Sequence, residues 1–479
     1  MAFAPSTWLA FAGYACLPVA LLHHRRSVKC WPIVFLTLCA GLLRFSASLD
    51  SDLHEWDERY HALVAKHLVE HPLRPTLYDD ARLPHEAGSW AHGHVWLNKP
   101  PLPLWAIAAS IATFGTEPWA VRLPSVLLSM LATVLLYQLV RERVSRNVAL
   151  WSAMLFAMNG HLVELASGRT SNDHPDTFLV CMVLAALFAA SRTALKNSAL
   201  WASLAGFLGG LAFMSKMWPS LLVPLVAVGF LIAQRTLPWR RKLGLFGVLM
   251  VLGSLVSVPW FCYVQWHFPE VAAAASAAHW QHFTVGLEDH ARPWYYYFAQ
   301  LPMIHGEAAP VAVVWFLAFP LRTAWRQHLP WALWMIVPFL VFSCAVTKMP
   351  GYTAIAVPAI CVVICMTFDQ AMTSTATRSS TRIALRVVAA LLVVLPLRFS
   401  WDRVRPLKPA PPRYDAEELA HGMMENTIVM GSEHPIELMF HSPIAGAYSF
   451  TLPDTTIQRL ERSGFVVLGA PSVHSPTDQ

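Results

Sequence analysis

The sequence predicts an all-α polytopic membrane protein of about 11–12 transmembrane helices, followed by a small C-terminal soluble α/β domain. Three observations predict it. The 479 residues are 56% hydrophobic and only 13% charged, with 20 tryptophans, far from the balance of a soluble domain. Apolar runs of roughly 17–25 residues recur along most of the chain, the length an α-helix needs to cross about 30 Å of hydrocarbon. These runs lack the strict alternation of a membrane barrel, so helices satisfy the backbone.

Charge sets the topology. The basic residues fall in six short clusters between apolar runs: His23–Arg26 with Lys29, Arg141–Arg146, Arg192 with Lys196, Arg235–Lys242, Arg322 with Arg326, and Arg378–Arg386. This is the positive-inside pattern, which places all six in the cytoplasm and makes the net charge of +6 a poor argument for nucleic acid. The predicted helices are 7–22, 31–49, 118–139, 148–166, 177–191, 199–214, 217–234, 243–262, 297–320, 330–346, 352–369 and 384–400, with both termini outside. The first is short and reads as an uncleaved anchor or a signal sequence, although no small-residue cleavage site follows it. Residues 101–114, PLPLWAIAASIATF, are apolar but too short to span. An odd number of crossings must separate the outer loop 50–117 from the Arg141 cluster, so this segment is expected in the interface.

The cysteines at 16, 30, 39, 181, 262, 344, 361 and 365 sit almost all in apolar segments without metal-site spacing, and read as small core residues. Two domains are expected: a membrane domain, 1–400, that includes loop 50–117, and an extracytoplasmic α/β domain, 401–479. In the tail a stiff RVRPLKPAPPR linker precedes an expected helix (Tyr414–Glu425), a strand (Thr427–Gly431) and a helix–strand pair (Thr455–Ala470).

The outer face gathers the chemistry. SDLHEWDERY, residues 51–60, is densely acidic, and the pairs Asp57/His61 and Trp56/Tyr60 share helical spacing with Leu63, Val64 and Leu68. Taken alone, Asp57 and Glu58 read equally well as acids complementing the dipole of an interfacial helix. Asn98-Lys99-Pro100-Pro101 sets a framed lysine at headgroup depth, where an ammonium can hold a phosphate or merely snorkel. GRTSNDHPD puts Arg169, Asp173, His174 and Asp176 in one very short turn. TKMPGY supplies Lys348 and Tyr352, and HWQHFTVGLEDHARPWYYY supplies His279, His282, His290, Arg292 and an aromatic belt. Carboxylates from two loops and cations from at least two others suit one job, in which the cations hold a lipid-carrier phosphate while a carboxylate activates a nucleophile.

This arrangement resembles the GT-C glycosyltransferases, specifically the dolichyl-phosphate-mannose protein mannosyltransferases and the bacterial aminoarabinose lipid A transferases. The resemblance rests on WDERY (Trp56–Tyr60), KPPLPLW (Lys99–Trp105), FG…WAVRLPS (Phe114–Ser125), the acidic turn after Arg169, HARPWYYY (His290–Tyr297) and TKMPGYTAIAVP (Thr347–Pro358), in family order across nearly the whole membrane region. It implies a GT-C-like fold and an inverting enzyme using a polyprenyl-phosphate sugar on the outer face. Asp57 then matches the catalytic aspartate with Glu58 beside it, Asp173 or Asp176 the second acidic position, and Lys99, Lys348 and Tyr352 the carrier-phosphate positions. The chain departs from the lipid A branch at Asn98, where an acid is usual, and at Val285 near His282, where an arginine is usual; Arg292 is the candidate replacement.

The expected reaction is displacement at the anomeric carbon, with Asp57 taking the acceptor proton and Lys99, Lys348 and Arg292 stabilising the departing phosphate. If the acceptor is itself a phosphate, Asp57 orients more than it deprotonates. The acceptor can be a lipid A-like glycolipid, a glycan or a protein, and the expected location is the bacterial inner membrane with the active-site loops and tail in the periplasm. No cofactor is required, although His85, His92 and His94 are candidates for a divalent cation. The rivals are a lipid or solute transporter, which would keep its ionisable groups near the bilayer midplane and tolerate Asp57→Asn, a non-enzymatic scaffold, and an oligosaccharide ligase using lipid-diphosphate donors.

Overall fold

The structure is a computed structural model; it describes residues 5–26, 30–79, 83, 87, 89–171, 173–287, 289–307, 309–373, 379–405, 407 and 423–469. In chain order its helices are α1 (Pro5–Arg25), α2 (Trp31–Ala47), α3 (Asp57–Glu70), α4 (Pro101–Phe114), α5 (Pro118–Arg143), α6 (Arg146–Ala157), α7 (Gly160–Ala166), α8 (His174–Lys196), α9 (Ala199–Phe213), α10 (Leu222–Ala233) and α11 (Trp239–His267). They continue as α12 (Pro269–Thr284), α13 (Tyr296–His305), α14 (Ala309–Ala318), α15 (Pro320–Thr323), α16 (Trp325–Cys344), α17 (Val357–Thr373) and α18 (Ser379–Val404). Short 3₁₀ turns, Trp218–Leu221 and Pro350–Ala356, lead into α10 and α17. Proline in the first turn starts many of them, and Ser145, Asn159 and Ser198 accept a backbone N–H as N-caps.

Each of the twelve expected crossings coincides with a helix or a broken helix. Among the described residues six helices are long and apolar enough to cross a membrane, and two bent pairs, α6/α7 at 53° and α13/α14–α15 at 114°, bring this to eight; α2, α4, α9 and the Trp218–Ala233 segment are shorter apolar helices. The break after α6 frees carbonyls in apolar surroundings, where water cannot satisfy them. Arg44 of α2, fully buried, answers it by donating to the carbonyls of Ala157 (2.8 Å) and Phe156 (3.4 Å). α9 and α11 approach closely at Gly206, where an added Cβ would lie 2.3 Å from the Leu249 carbonyl.

The basic clusters collect at one end of the bundle. His24 bonds Asn147 (2.8 Å), Arg192 pairs with Glu142, and Arg241 donates to Asn197 (2.8 Å), so the first four clusters touch one another. At the opposite end stand α3, α4, α12 and the C-terminal unit. Neither α12 nor two elements of that unit appear among the sequence expectations.

The C-terminal unit is a three-stranded parallel sheet in the order β2 (Gly446–Tyr448), β1 (Thr427–Met430), β3 (Val466–Gly469), with α19 (Pro435–His441) and α20 (Asp454–Arg462) as its crossovers. Ile428 pairs with Gly446 on one side and Val467 on the other. The expected helix Tyr414–Glu425 lies outside the described residues except for Met423–Glu425, which lead irregularly into β1. The sheet unit shares a hydrophobic core with the outer loop: Leu63, Val64, Leu77, Trp96 and Ile107 pack with Ile428, Leu438 and Phe440. Tyr78 stacks on Tyr448, with ring centroids 5.2 Å apart.

Candidate active site

The site is built on α3. Its first turn carries two carboxylates with opposite fates, because successive residues point about 100° apart on a helix. Glu58 turns inward and is fully buried. Arg122 of α5 grips it through both oxygens (2.7 and 2.9 Å), and His54 donates its backbone N–H at 2.8 Å, with its ring Nδ1 at 2.6 Å. Arg122 also donates to the carbonyls of Ser48, Asp50 and Asp52 (3.1, 2.7 and 2.6 Å), which folds the acidic stretch back onto the bundle. Burial alone would raise the Glu58 carboxyl, but Arg122 and His54 hold it well below the usual carboxylate range. Glu58 is thus bonded as an anchor, and it does not line the cavity beside it. Gly168, at φ +74°, lets the α7–α8 turn pass this carboxylate; a Cβ there would lie 2.2 Å from Glu58 Oε1.

Asp57 turns outward into a cavity of about 630 Å³. Its Oδ2 lies 3.2 Å from Lys99 Nζ, which stands 5.0 Å above the Trp90 ring. Burial would lower the Lys99 ammonium, but Asp57, Asp176 and Asp173 more than offset it and hold it above its usual value. The other polar lining comes from Glu55, Arg59, Tyr60, Asn98, Lys216, His279, His282 and Tyr352. Away from these groups the wall is apolar and runs between α10 and α16 through Leu222, Leu225, Val337, Val341 and Phe342.

Lys216, in the break between α9 and the Trp218 turn, is a charged side chain of the cavity wall that the sequence reading missed. Its Nζ bonds both oxygens of Asp176 (2.8 and 2.7 Å) and lies 5.1 Å from the centre of the Tyr352 ring. One signal could have found it: a lone lysine between two apolar runs at the end of the bundle that the positive-inside pattern leaves poor in cations.

Asp173 and Asp176 therefore do different things. Asp176 stands one bond behind the cavity through Lys216. Asp173 is buried against His61, whose Nδ1 lies 3.1 Å from its Oδ2. Burial, reinforced by Asp57 and Glu58, raises the Asp173 carboxyl well above its usual range, and burial pushes His61 down to about 3. In both groups burial disfavours the charged form. Arg169 grips Asp50 through both oxygens (2.8 and 2.9 Å) and the carbonyls of Arg403 and Arg405, tying the acidic turn to the end of α18.

Two motifs distant in sequence meet in a short antiparallel bridge between Ala291 and Thr347. It uses up the side chains it contains. The Lys348 ammonium donates to the carbonyls of Arg292 (3.1 Å) and Ala345, and Arg292 is exposed with its guanidinium on the carbonyls of Asp289 and Ala291. Of the four expected phosphate ligands the structure brings Lys99 and Tyr352 to the cavity, and leaves Lys348 and Arg292 outside its lining.

Of the outer-loop histidines, His92 and His94 join no group of ligand-type side chains among the described residues. Arg74 donates to His94 Nε2 at 2.9 Å, a cation where a metal would need a lone pair; His92 is exposed beside Phe450, and His85 lies outside the described residues. Among the described residues the one group of ligand-type side chains close enough together is Glu70, His71 and Asp79, all exposed and remote from the cavity lining.

Comparison with known proteins fits this geometry. Residues 98–263 match the profile of the dolichyl-phosphate-mannose-protein mannosyltransferase family. In three dimensions the chain superimposes on ArnT from Cupriavidus metallidurans bound to undecaprenyl phosphate, with TM-score 0.63 and 18% identity over 92% of this chain and 90% of that one. It also superimposes on the Archaeoglobus fulgidus oligosaccharyltransferase, with TM-score 0.54 and 11% identity over 88% and 65%. The fold is that of the GT-C glycosyltransferases.

In sequence the chain is similar to aminoarabinose transferases. It is 32% identical over 288 residues to the undecaprenyl phosphate-alpha-4-amino-4-deoxy-L-arabinose arabinosyl transferase of Pseudomonas paraeruginosa, and 33% identical over 289 residues to that of Pseudomonas aeruginosa. Each match takes in 55% of this chain and 49% of the relative, so the chain spans about half the length of the curated relatives it matches.

Proposed function

We propose that this protein is an inverting membrane glycosyltransferase that moves a sugar from a polyprenyl-phosphate donor to an acceptor on the periplasmic face of the bacterial inner membrane. One observation carries the reading: a single cavity joins a carboxylate–lysine pair to an apolar groove between α10 and α16. The groove suits an isoprenoid chain, and Lys99, Lys216 and Tyr352 suit the phosphate where that chain enters the polar end. Asp57 is the one lining aspartate among the described residues, at the place where the anomeric carbon of such a donor would sit.

The acceptor oxygen forms the new bond to the anomeric carbon as the bond from that carbon to the phosphate oxygen breaks. Asp57 takes the proton of a hydroxyl acceptor, and the electron pair leaves with polyprenyl phosphate, stabilised by the two ammonium groups and the Tyr352 edge of the site. A lipid phosphate is already a competent leaving group, so positioning and charge stabilisation supply most of the acceleration. Asp173 with His61 supports the site from behind, and Glu58 acts by fixing α3. Residues 1–400 with loop 50–117 form the catalytic membrane domain, and residues 401–479 the periplasmic unit on the acceptor side. The similarity to aminoarabinose transferases favours a lipid A-like glycolipid as acceptor.

The test is transfer of labelled sugar from a panel of polyprenyl-phosphate donors to membrane extracts, by purified wild type and Asp57→Asn in matched lipid. Wild-type transfer that falls about 10²-fold or more in the folded variant is expected. Equal rates would remove Asp57 from the chemistry; no wild-type transfer from any monophosphate donor would overturn the proposal.

A further inference from the structure

Two lysines meet in this cavity, and each is already matched by one carboxylate: Lys99 by Asp57 at 3.2 Å, and Lys216 by Asp176 at 2.7 and 2.8 Å. The two pairs are close enough to act as one set. Lys99 feels Asp176 as well as Asp57, and Lys216 feels Asp57 and Lys99 as well as Asp176. Each ammonium thus has a carboxylate as its counter-ion, and a phosphate drawn to the same N–H groups competes with Asp57 and Asp176 for them.

We propose that Asp57 and Asp176 are displaceable counter-ions of Lys99 and Lys216: the carrier phosphate binds by taking over the two ammonium groups, and this exchange frees Asp57 to act on the acceptor. The inference rests on the proposed donor class and deepens it. While Lys99 holds Asp57, the ammonium occupies Oδ2 of that carboxylate. A phosphate that draws Lys99 away leaves that oxygen open to an acceptor hydroxyl at the moment a donor is present. Both lysines have room to change partner without leaving the wall, since each stands about 5 Å from an aromatic ring, Trp90 or Tyr352, whose face tolerates an ammonium in more than one position.

The consequence runs against the usual expectation for a catalytic residue. Asp57→Asn, expected to lower transfer about 10²-fold or more, should bind a polyprenyl monophosphate about 3–10-fold more tightly than wild type, and Asp176→Asn should do the same, because each leaves an ammonium without its rival anion. General loss of negative charge would also tighten binding, so the decisive comparison is made in a Lys99→Met background. There Asp57→Asn should gain nothing, while Asp176→Asn should keep its gain. Binding is read from tryptophan fluorescence, with Trp56, Trp90 and Trp218 in the cavity wall, using a short-chain polyprenyl monophosphate in lipid nanodiscs, after size exclusion and thermal melting show each variant folded. Wild type that binds but Asn variants that bind no tighter would overturn the exchange and leave the donor class standing. A gain from Asp57→Asn that persists without Lys99 would also overturn it. Wild type that binds no polyprenyl phosphate would overturn the donor class and the exchange together.

Discussion

Neighbouring carboxylates on α3 show how one residue of helical rotation separates a buried anchor from a carboxylate that faces the cavity. Glu58 is buried with Arg122, so removing one partner leaves an uncompensated charge. Arg122→Met is expected to cost about 3–5 kcal/mol, read as a fall in melting temperature in lipid nanodiscs, with transfer lost in proportion to folded protein. The folded pKa of Glu58 lies below its unfolded value of 4.5. Its contribution to stability is therefore complete above about that pH and is lost as pH falls through the folded value. Asp173 has the opposite sign. Its folded carboxyl is raised above the unfolded value of 3.8, so ionising it weighs against the fold as pH rises. Asp173→Asn is expected to melt no lower than wild type at pH 8, and its advantage should shrink toward pH 4. A variant that melts lower at pH 8 would mean that the charged carboxylate is the stabilising form.

At the scale of elements, what holds α3 determines where Asp57 stands. Three supports meet there: Arg122 from α5, the α7–α8 turn passing at Gly168, and α19 of the C-terminal unit. Gly168→Ala would drive a methyl into Glu58 and force a left-handed backbone on a residue with a side chain, so a loss of about 2 kcal/mol or more is expected in melting experiments. Lys66 of α3 donates to the carbonyls of Met439, Phe440 and Ser442 (2.7, 3.0 and 2.8 Å), the unsatisfied end of α19, and Arg59 pairs with Glu437 at 2.9 Å. Lys66→Met should free these carbonyls at a cost of about 1–3 kcal/mol and expose the 423–469 unit to limited proteolysis before the membrane helices are cut. Equal protease resistance would show that the shared apolar core alone holds the unit in place.

Across the described residues the first four basic clusters and the cavity lie at opposite ends of the bundle, which is the geometry an outward-facing enzyme needs. In a variant keeping Cys30 alone of the native cysteines, with Ser463→Cys added in the C-terminal unit, an impermeant thiol reagent should label position 463 once the outer membrane is opened. Cys30, exposed beside a basic cluster, should label only after the inner membrane is permeabilised. The reverse pattern would invert the topology.

Much of this was legible in the sequence. Span length and charge bias are local properties, so the crossing helices, the placing of Asp57 and Lys99 at the end of the bundle away from the first four basic clusters, and the short apolar helix α4 follow from composition and period alone. The acidic turn after Arg169 and the WDERY and KPP motifs were likewise visible as unusual polar groups beside apolar runs. Their partners were not, because an ion pair is made across elements and leaves no spacing to read. Only the tertiary structure decided that Glu58 is held by Arg122, that Lys348 is taken up by backbone carbonyls, that Asp173 is buried against His61, and that Lys216, far along the chain, completes the cavity. Burial and hydrogen-bond geometry assign each charge its role, and both exist only once the helices have packed.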